Sequence, residues 1–178
     1  MMEPRMMMPP RMERSFLPPA PISWAGALLA LLLCSAPAVR AGAWDLKDTA
    51  GVHHTLAAEK GKWVLVNFWA PWCPPCLQEM PELEALQQQR KDVQVIGVAV
   101  LYRKRQEVLE AVRSTAVSYP VVLGNEDIAS DFGEMHGMPT SFLYDPSGKL
   151  VGKHDGPVTR EEVEEILDSK VSPGGGRF

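Results

Sequence analysis

The stretch KWVLVNFWAPWCPPCLQEMPELEALQQQR, residues 62–90, decides the fold. Its first nine residues form a nearly continuous apolar run rich in valine and aromatic side chains. Such a run marks a strand covered on both faces. It leads directly into Cys73 and Cys76, with Pro74 and Pro75 between them. Beyond the cysteines, Leu77, Met80, Leu83 and Leu86 recur at helical spacing. The stretch reads as a buried strand, a cysteine pair and a helix.

Three uses could explain the pair: a metal grip, a dithiol that trades electrons as a disulfide, or an incidental bridge. A structural zinc site needs four ligands, and this spacing supplies two. The four histidines, His53, His54, His136 and His154, form no recognisable second pair. A bridge over so short a loop removes little unfolded-state entropy, so it has little structural purpose. Redox chemistry is the reading the residues favour, with no metal and no cofactor called for.

The placement supplies a reason. At the junction of strand and helix, the Cys73 sulfur faces free N–H groups and the positive end of the helix dipole, which stabilise a thiolate. Cys73 is therefore the attacking nucleophile. Cys76, one turn inside, is sheltered and can resolve a mixed disulfide by attacking Cys73. Pro74 and Pro75 suit the first helical turn, but they remove two donors that could have held the thiolate. A modest lowering of the Cys73 pKa follows, which suits a reductant better than a strong oxidant.

The compartment matters to this chemistry. Arg5, Arg11 and Arg14 precede the apolar AGALLALLL run, and the small-residue exit SAPAVRA follows. Basic region, short apolar core and small-residue exit read as a signal peptide over residues 1–41, cleaved after Ala41, with Ala38 as a second candidate. An uncleaved anchor is the alternative, although the apolar core is shorter than the roughly 20 residues a spanning helix needs. Cys34 falls inside this segment, and Leu33 before it does not suit lipid attachment. The chain has 18 basic and 22 acidic residues; the leader takes four and two, leaving 14 and 20 and a mature charge of -6. Export, in periplasmic fashion or tethered through the N-terminal segment, places Cys73 and Cys76 where disulfides persist. The acidic balance leaves no footprint for nucleic acid.

The rest of the 178 residues fills one domain, 42–172, with a disordered tail at 173–178. Two short strands flank a turn at Ala50-Gly51. A second buried strand, DVQVIGVAV, precedes an amphipathic helix through Val108, Leu109 and Val112, with Arg103, Lys104 and Arg105 on its solvated face. YPVVLG is a third strand and EDIASDFG a short helix. A hairpin then turns at Asp145–Gly148, and a last helix opens with Thr159 and Glu162 at capping-box spacing. Strands alternating with helices, followed by a hairpin and a helix, give an α/β class with a mixed central sheet flanked by helices.

VNFWAPWCPPCLQEMPELEAL resembles the thioredoxin superfamily, and in particular its exported branch typified by TlpA, ResA and DsbE. The similarity extends over residues 44–170 and takes in GKWVLVNFWA, Glu79 followed by Pro81, an extra strand–helix stretch ahead of YPVV, and GMPTSFLYDPSGKLVG. It implies a thioredoxin fold with an N-terminal strand extension and that extra strand–helix insertion. By resemblance, Pro139 is the cis-proline beside the disulfide, leaving the Met138 backbone to pair with an extended substrate strand. Trp72 would shield the mouth of the site. Asn67 departs from cytosolic thioredoxins, which carry a buried aspartate at this position, and asparagine cannot shuttle a proton. Glu79 matches the acid of the exported branch and is placed to take the Cys76 proton if burial raises its pKa.

The function implied is an exported thiol–disulfide oxidoreductase acting as a reductase. A membrane thiol–disulfide donor would supply the electrons, and a protein disulfide would receive them. By resemblance the clients are apocytochrome c or a copper-site assembly protein, and a monomer is expected. A DsbA-type oxidase or isomerase would share the fold and invert the direction. A metal chaperone is the alternative from another class, although copper-delivery relatives use a wider cysteine spacing.

Overall fold

The computed structural model describes residues 44–169, so the leader at 1–41 with Cys34, and the tail at 173–178, lie outside the described residues. In chain order the elements are β1 (Asp45–Lys47), β2 (His53–Thr55), β3 (Trp63–Trp69), α1 (Pro74–Gln89), β4 (Val93–Ala99), α2 (Arg105–Thr115), β5 (Val121–Leu123), α3 (Glu126–Phe132), β6 (Thr140–Tyr144), β7 (Leu150–Asp155) and α4 (Arg160–Asp168).

β1 and β2 form an antiparallel pair of their own. The main sheet runs β5-β4-β3-β6-β7. Its first three strands are parallel, and β6 and β7 are antiparallel additions. β3 sits at the centre, and every residue from Val64 to Trp69 is buried, as an apolar run with two covered faces requires. Its side chains alternate between two cores. Val64, Val66 and Phe68 join Trp44, Phe132 and Phe142 on one face. Leu65 and Trp69 join Met80, Leu83 and Leu86 from α1 and Val163 and Leu167 from α4 on the other. Each such side chain, fully removed from water, contributes on the order of 2 kcal/mol.

Three local readings are refined. On α2 the core-facing residues are Val108 and Ala111, with Val112 packed at the margin; Leu109 is turned off that stripe and half-exposed. On α1 the buried stripe runs from Cys76 through Glu79 and Met80 to Leu83 and Leu86, and Leu77 is only partly covered. The Arg103–Arg105 run lies exposed at the entry to α2, with Lys104 in the N-cap position, and does not extend along the helix face.

The ends of the helices explain how the site is held. α4 opens with both halves of the capping box: the Thr159 hydroxyl accepts from the Glu162 N–H, and the Glu162 carboxylate accepts from the Thr159 N–H at 2.8 Å. That cap fixes the turn preceding α4, which contains Val158. The 136–140 loop is tied to β7 through Asp155, whose Oδ1 accepts from the Thr140 hydroxyl at 3.0 Å and from the His136 N–H at 3.5 Å. Among the described residues no helix is long and apolar enough to cross a membrane.

Candidate active site

β3 delivers the chain from the centre of the sheet to Ala70, and Cys73 becomes the N-cap of α1. Pro74 and Pro75 take the first two helical positions, where the N–H they lack would have no helical partner. Cys73 and Cys76 are joined by a disulfide with Cα atoms 5.3 Å apart. The Cys76 N–H points at the Cys73 sulfur, N to Sγ 3.3 Å. This is the N-terminal donor geometry that favours a thiolate on Cys73 once the bond is reduced. Cys73 retains 4% of its surface, whereas Cys76 retains none. Of the two, only Cys73 keeps any exposed surface.

Glu79 sits three residues beyond Cys76 on α1 and is 3% exposed. Both its oxygens are engaged. Oε1 accepts from the Asn67 amide at 2.7 Å, and Oε2 accepts from the Val158 N–H at 2.9 Å. Burial pushes the Glu79 pKa up to about 7, against the opposing pull of the Val158 and Asn67 donors. A carboxyl in that range can both accept and return a proton near neutrality.

Asn67 is buried at the centre of β3, and its Nδ2 also donates to the Ser141 hydroxyl on β6 at 3.0 Å. Its Oδ1 has no hydrogen-bond partner. This asymmetry has chemical content. The amide offers donors to an ionised Glu79, and a half-turn about its last torsion would offer Oδ1 to the O–H of a neutral one. Asparagine cannot carry the proton, but it can serve both protonation states. A carboxylate here cannot. Asn67→Asp would set two acids at hydrogen-bond distance, so the pair would share one proton and its upper apparent pKa would rise above that of Glu79 alone. Carboxyl-stretch infrared titration of the variant is expected to show a protonated acid persisting past pH 8. A titration matching the parent protein would exclude this coupling.

Of the other residues singled out in the sequence, Trp72 and Met138 line the mouth, and Pro139 is buried. The Met138–Pro139 peptide is cis. Met138 lines a 520 Å³ cavity together with Trp72, Cys73, Pro74 and Pro75. Trp72 lines the same cavity and is 61% exposed. Its indole N–H donates to the Leu101 carbonyl at 2.7 Å.

Leu101 itself was not legible in advance. It follows β4 with φ +54°, a left-handed conformation that costs a residue with a side chain, and it leaves 57% of an apolar side chain in solvent. Nothing in its sequence neighbourhood signals that strain. Tyr119 is a second addition. Its hydroxyl is buried without a partner, and burial, then the charges of Glu79 and Glu84, raise its pKa.

The chain matches the family described as Redoxin over residues 34–169. It is 36% identical over 129 residues to the thioredoxin-like protein YneN of Bacillus subtilis, covering 70% of this chain and 75% of that protein. It is 33% identical over 130 residues to the thiol-disulfide oxidoreductase ResA of the same organism, covering 72% of each. Among solved structures, it is similar to a thiol:disulfide interchange protein from Chlorobium tepidum, with 29% identity and a TM-score of 0.65 over 72% of this chain and 93% of that one. The described residues therefore adopt a thioredoxin-like fold.

Proposed function

The chain belongs to the redoxin family, and from that premise we propose that it is an exported thiol–disulfide oxidoreductase that reduces client proteins through Cys73 and Cys76. The observation that carries the proposal is the unequal burial of a bonded pair at the start of α1. One sulfur stands at an open mouth, and the other is sealed behind it.

In the reduced enzyme the Cys73 thiolate attacks one sulfur of the client disulfide. A Cys73–client bond forms, the client's own S–S bond breaks, and the departing sulfur takes a proton. Cys76 then loses its proton and attacks Cys73 Sγ. The Cys73–Cys76 disulfide forms, the mixed disulfide breaks, and the second client thiol leaves. Two electrons pass from the dithiol to the client. Glu79, one helical turn from Cys76, receives the Cys76 proton in the second step, since its pKa of about 7 lies close to the working pH. Pro139 and Met138 frame the mouth, and the Met138 backbone pairs with the client strand. Trp72 shields the mouth.

Three further elements of the proposal rest on the family resemblance and the N-terminal pattern. The clients are proteins whose cysteine pair must be reduced before haem or copper is attached. A membrane thiol–disulfide protein recharges the enzyme. The mature protein works outside the cytosol as a monomer. The deciding experiment is the reduction potential of the Cys73–Cys76 couple, equilibrated against glutathione or dithiothreitol buffers. A value close to about -270 mV is expected of a reductase. A value near about -120 mV would make the protein a disulfide donor and reverse the direction of electron flow.

A further inference from the structure

The hydrogen bonds around residues 136–140 converge on the end of β7. Asp155 closes that strand opposite Thr140, the first residue of β6. Its Oδ1 accepts from the Thr140 hydroxyl at 3.0 Å and from the His136 N–H at 3.5 Å. The same hydroxyl lies 2.8 Å from the Gly137 carbonyl, so its one hydrogen is shared between two acceptors and ties Gly137 to Asp155. The next residue, Gly156, donates its N–H to the Pro139 carbonyl at 2.9 Å. It does so with φ +124°, a conformation that glycine adopts without steric cost. Asp155 Oδ2 is held in turn by the Lys153 ammonium at 3.0 Å, and both side chains keep a quarter of their surface. His136, Gly137, Pro139 and Thr140 are thereby fastened. Met138 is passed over: among the described residues its backbone N–H and carbonyl make no hydrogen bond.

We infer that Asp155 is a positioning residue for client binding, which acts through Thr140 and His136 to hold the Met138 backbone in the orientation that receives a client strand. The inference rests on the reductase reading above. Strand pairing is sensitive to angle, because a hydrogen bond weakens steeply once donor and acceptor turn out of line. Downstream of Met138 the chain is fixed whatever residue stands at 155, since Thr140 pairs with Phe68 and Asp155 through the sheet itself. Upstream it is not. His136 and Gly137 precede the sheet, and the Asp155 carboxylate, with the hydroxyl it shares, is what fastens them. Without that carboxylate Met138 is anchored on one side only. A stability role is a poor account of the same acid, because a partly exposed ion pair such as Lys153–Asp155 adds little to folding. Lys153 has a simpler use here, which is to hold the carboxylate so that its other oxygen faces the segment before Pro139.

The test follows single-turnover oxidation of the reduced full-length protein by two disulfides in excess. One is a short peptide closed by an internal disulfide; the other is bis(2-hydroxyethyl) disulfide, which has no backbone to pair. Asp155→Ala is expected to lower the second-order rate constant for the peptide about tenfold more than that for the small disulfide. The loss is expected in the half-saturating concentration and not in the limiting rate, since strand pairing holds the client equally before and during exchange. Asp155→Asn keeps an oxygen acceptor for Thr140 and His136 while giving up the charge, and is expected to restore most of the ratio. Thr140→Val removes the shared hydroxyl and is expected to lower the ratio too. Combined with Asp155→Ala it is expected to add little, because one chain of hydrogen bonds is broken once. Each ratio is internal to one protein, so a partly folded variant does not confound it. Equal falls for the two substrates in Asp155→Ala would overturn the positioning role and leave the reductase reading intact. An Asp155→Asn variant as impaired as Asp155→Ala would also overturn it, and would assign the effect to the lost charge beside Lys153. A parent protein that reduces neither disulfide would overturn the reductase reading, and the positioning role with it.

Discussion

Cys76→Ser is expected to turn the enzyme into a trap. Cys73 keeps its position at the α1 N-terminus and its donor from the residue 76 N–H, so it still attacks a client disulfide. The mixed disulfide then has no internal thiol to resolve it. Turnover is expected to fall by at least about a thousandfold, while a covalent enzyme–client adduct accumulates to near one per enzyme and disappears with dithiothreitol. Intact-mass spectrometry reads both outcomes. Cys73→Ser is the counterpart: no adduct and no turnover, because Cys76 is fully buried. An adduct forming as readily through Cys76 in that variant would reverse the assignment of nucleophile and resolving thiol.

The second large effect concerns Glu79. Its folded pKa of about 7 lies above the ordinary 4.5, because burial disfavours its charge. The folded state therefore binds the proton more tightly than the unfolded one. The stability this contributes is fully present below pH 4.5 and is lost as pH rises through 7. The shift corresponds to on the order of 3 kcal/mol. Glu79→Gln removes the titration, so the difference in unfolding free energy between variant and parent is expected to move in the variant's favour by about that amount between pH 4.5 and 8. Subtracting the two curves cancels the carboxylates held below their usual range, including Asp48, Asp92 and Asp155. The variant is also expected to release the mixed disulfide about 10- to 100-fold more slowly at pH 7. It should be no slower at forming it, which separates a proton role from a merely structural one. A difference curve flat across that range would mean that Glu79 titrates normally, and the proton role would go with it.

The strands, the helices and the cysteine pair were legible because each is written locally. β3 is a continuous apolar run, α1 follows directly from the prolines, and α4 announces itself by Thr159 and Glu162. On α2 the core stripe includes Val108 and Val112 as the sequence suggests, but Ala111 takes the place of Leu109, since Leu109 is as apolar as Val108 and only the packing of Ala111 against the core distinguishes the faces. The site was half legible. Cys73, Cys76 and Glu79 share one short segment, and their chemistry follows from position on a helix. What tunes Glu79 does not share it. Ser141 and Val158 are 74 residues from Asn67 and 79 from Glu79, respectively, and a backbone N–H has no residue type to betray it. Leu101 was silent for another reason, because a positive φ on leucine is set by the chain on both sides of it.

The span of the Glu79 contacts also bears on how the molecule matures. A disulfide between residues three apart needs only a short loop to close, and a nascent chain can form it as soon as both thiols meet an oxidant. The Glu79–Val158 bond closes a loop of nearly eighty residues, which costs more entropy and waits on long-range pairing of the sheet. Oxidation and proton control are therefore acquired at different times. An unfinished chain can already hold its cysteines as a disulfide, but only one whose last turn before α4 has docked can, once reduced, use Glu79 to take the Cys76 proton and resolve a mixed disulfide in a timely way, so catalytic competence itself reports completed folding.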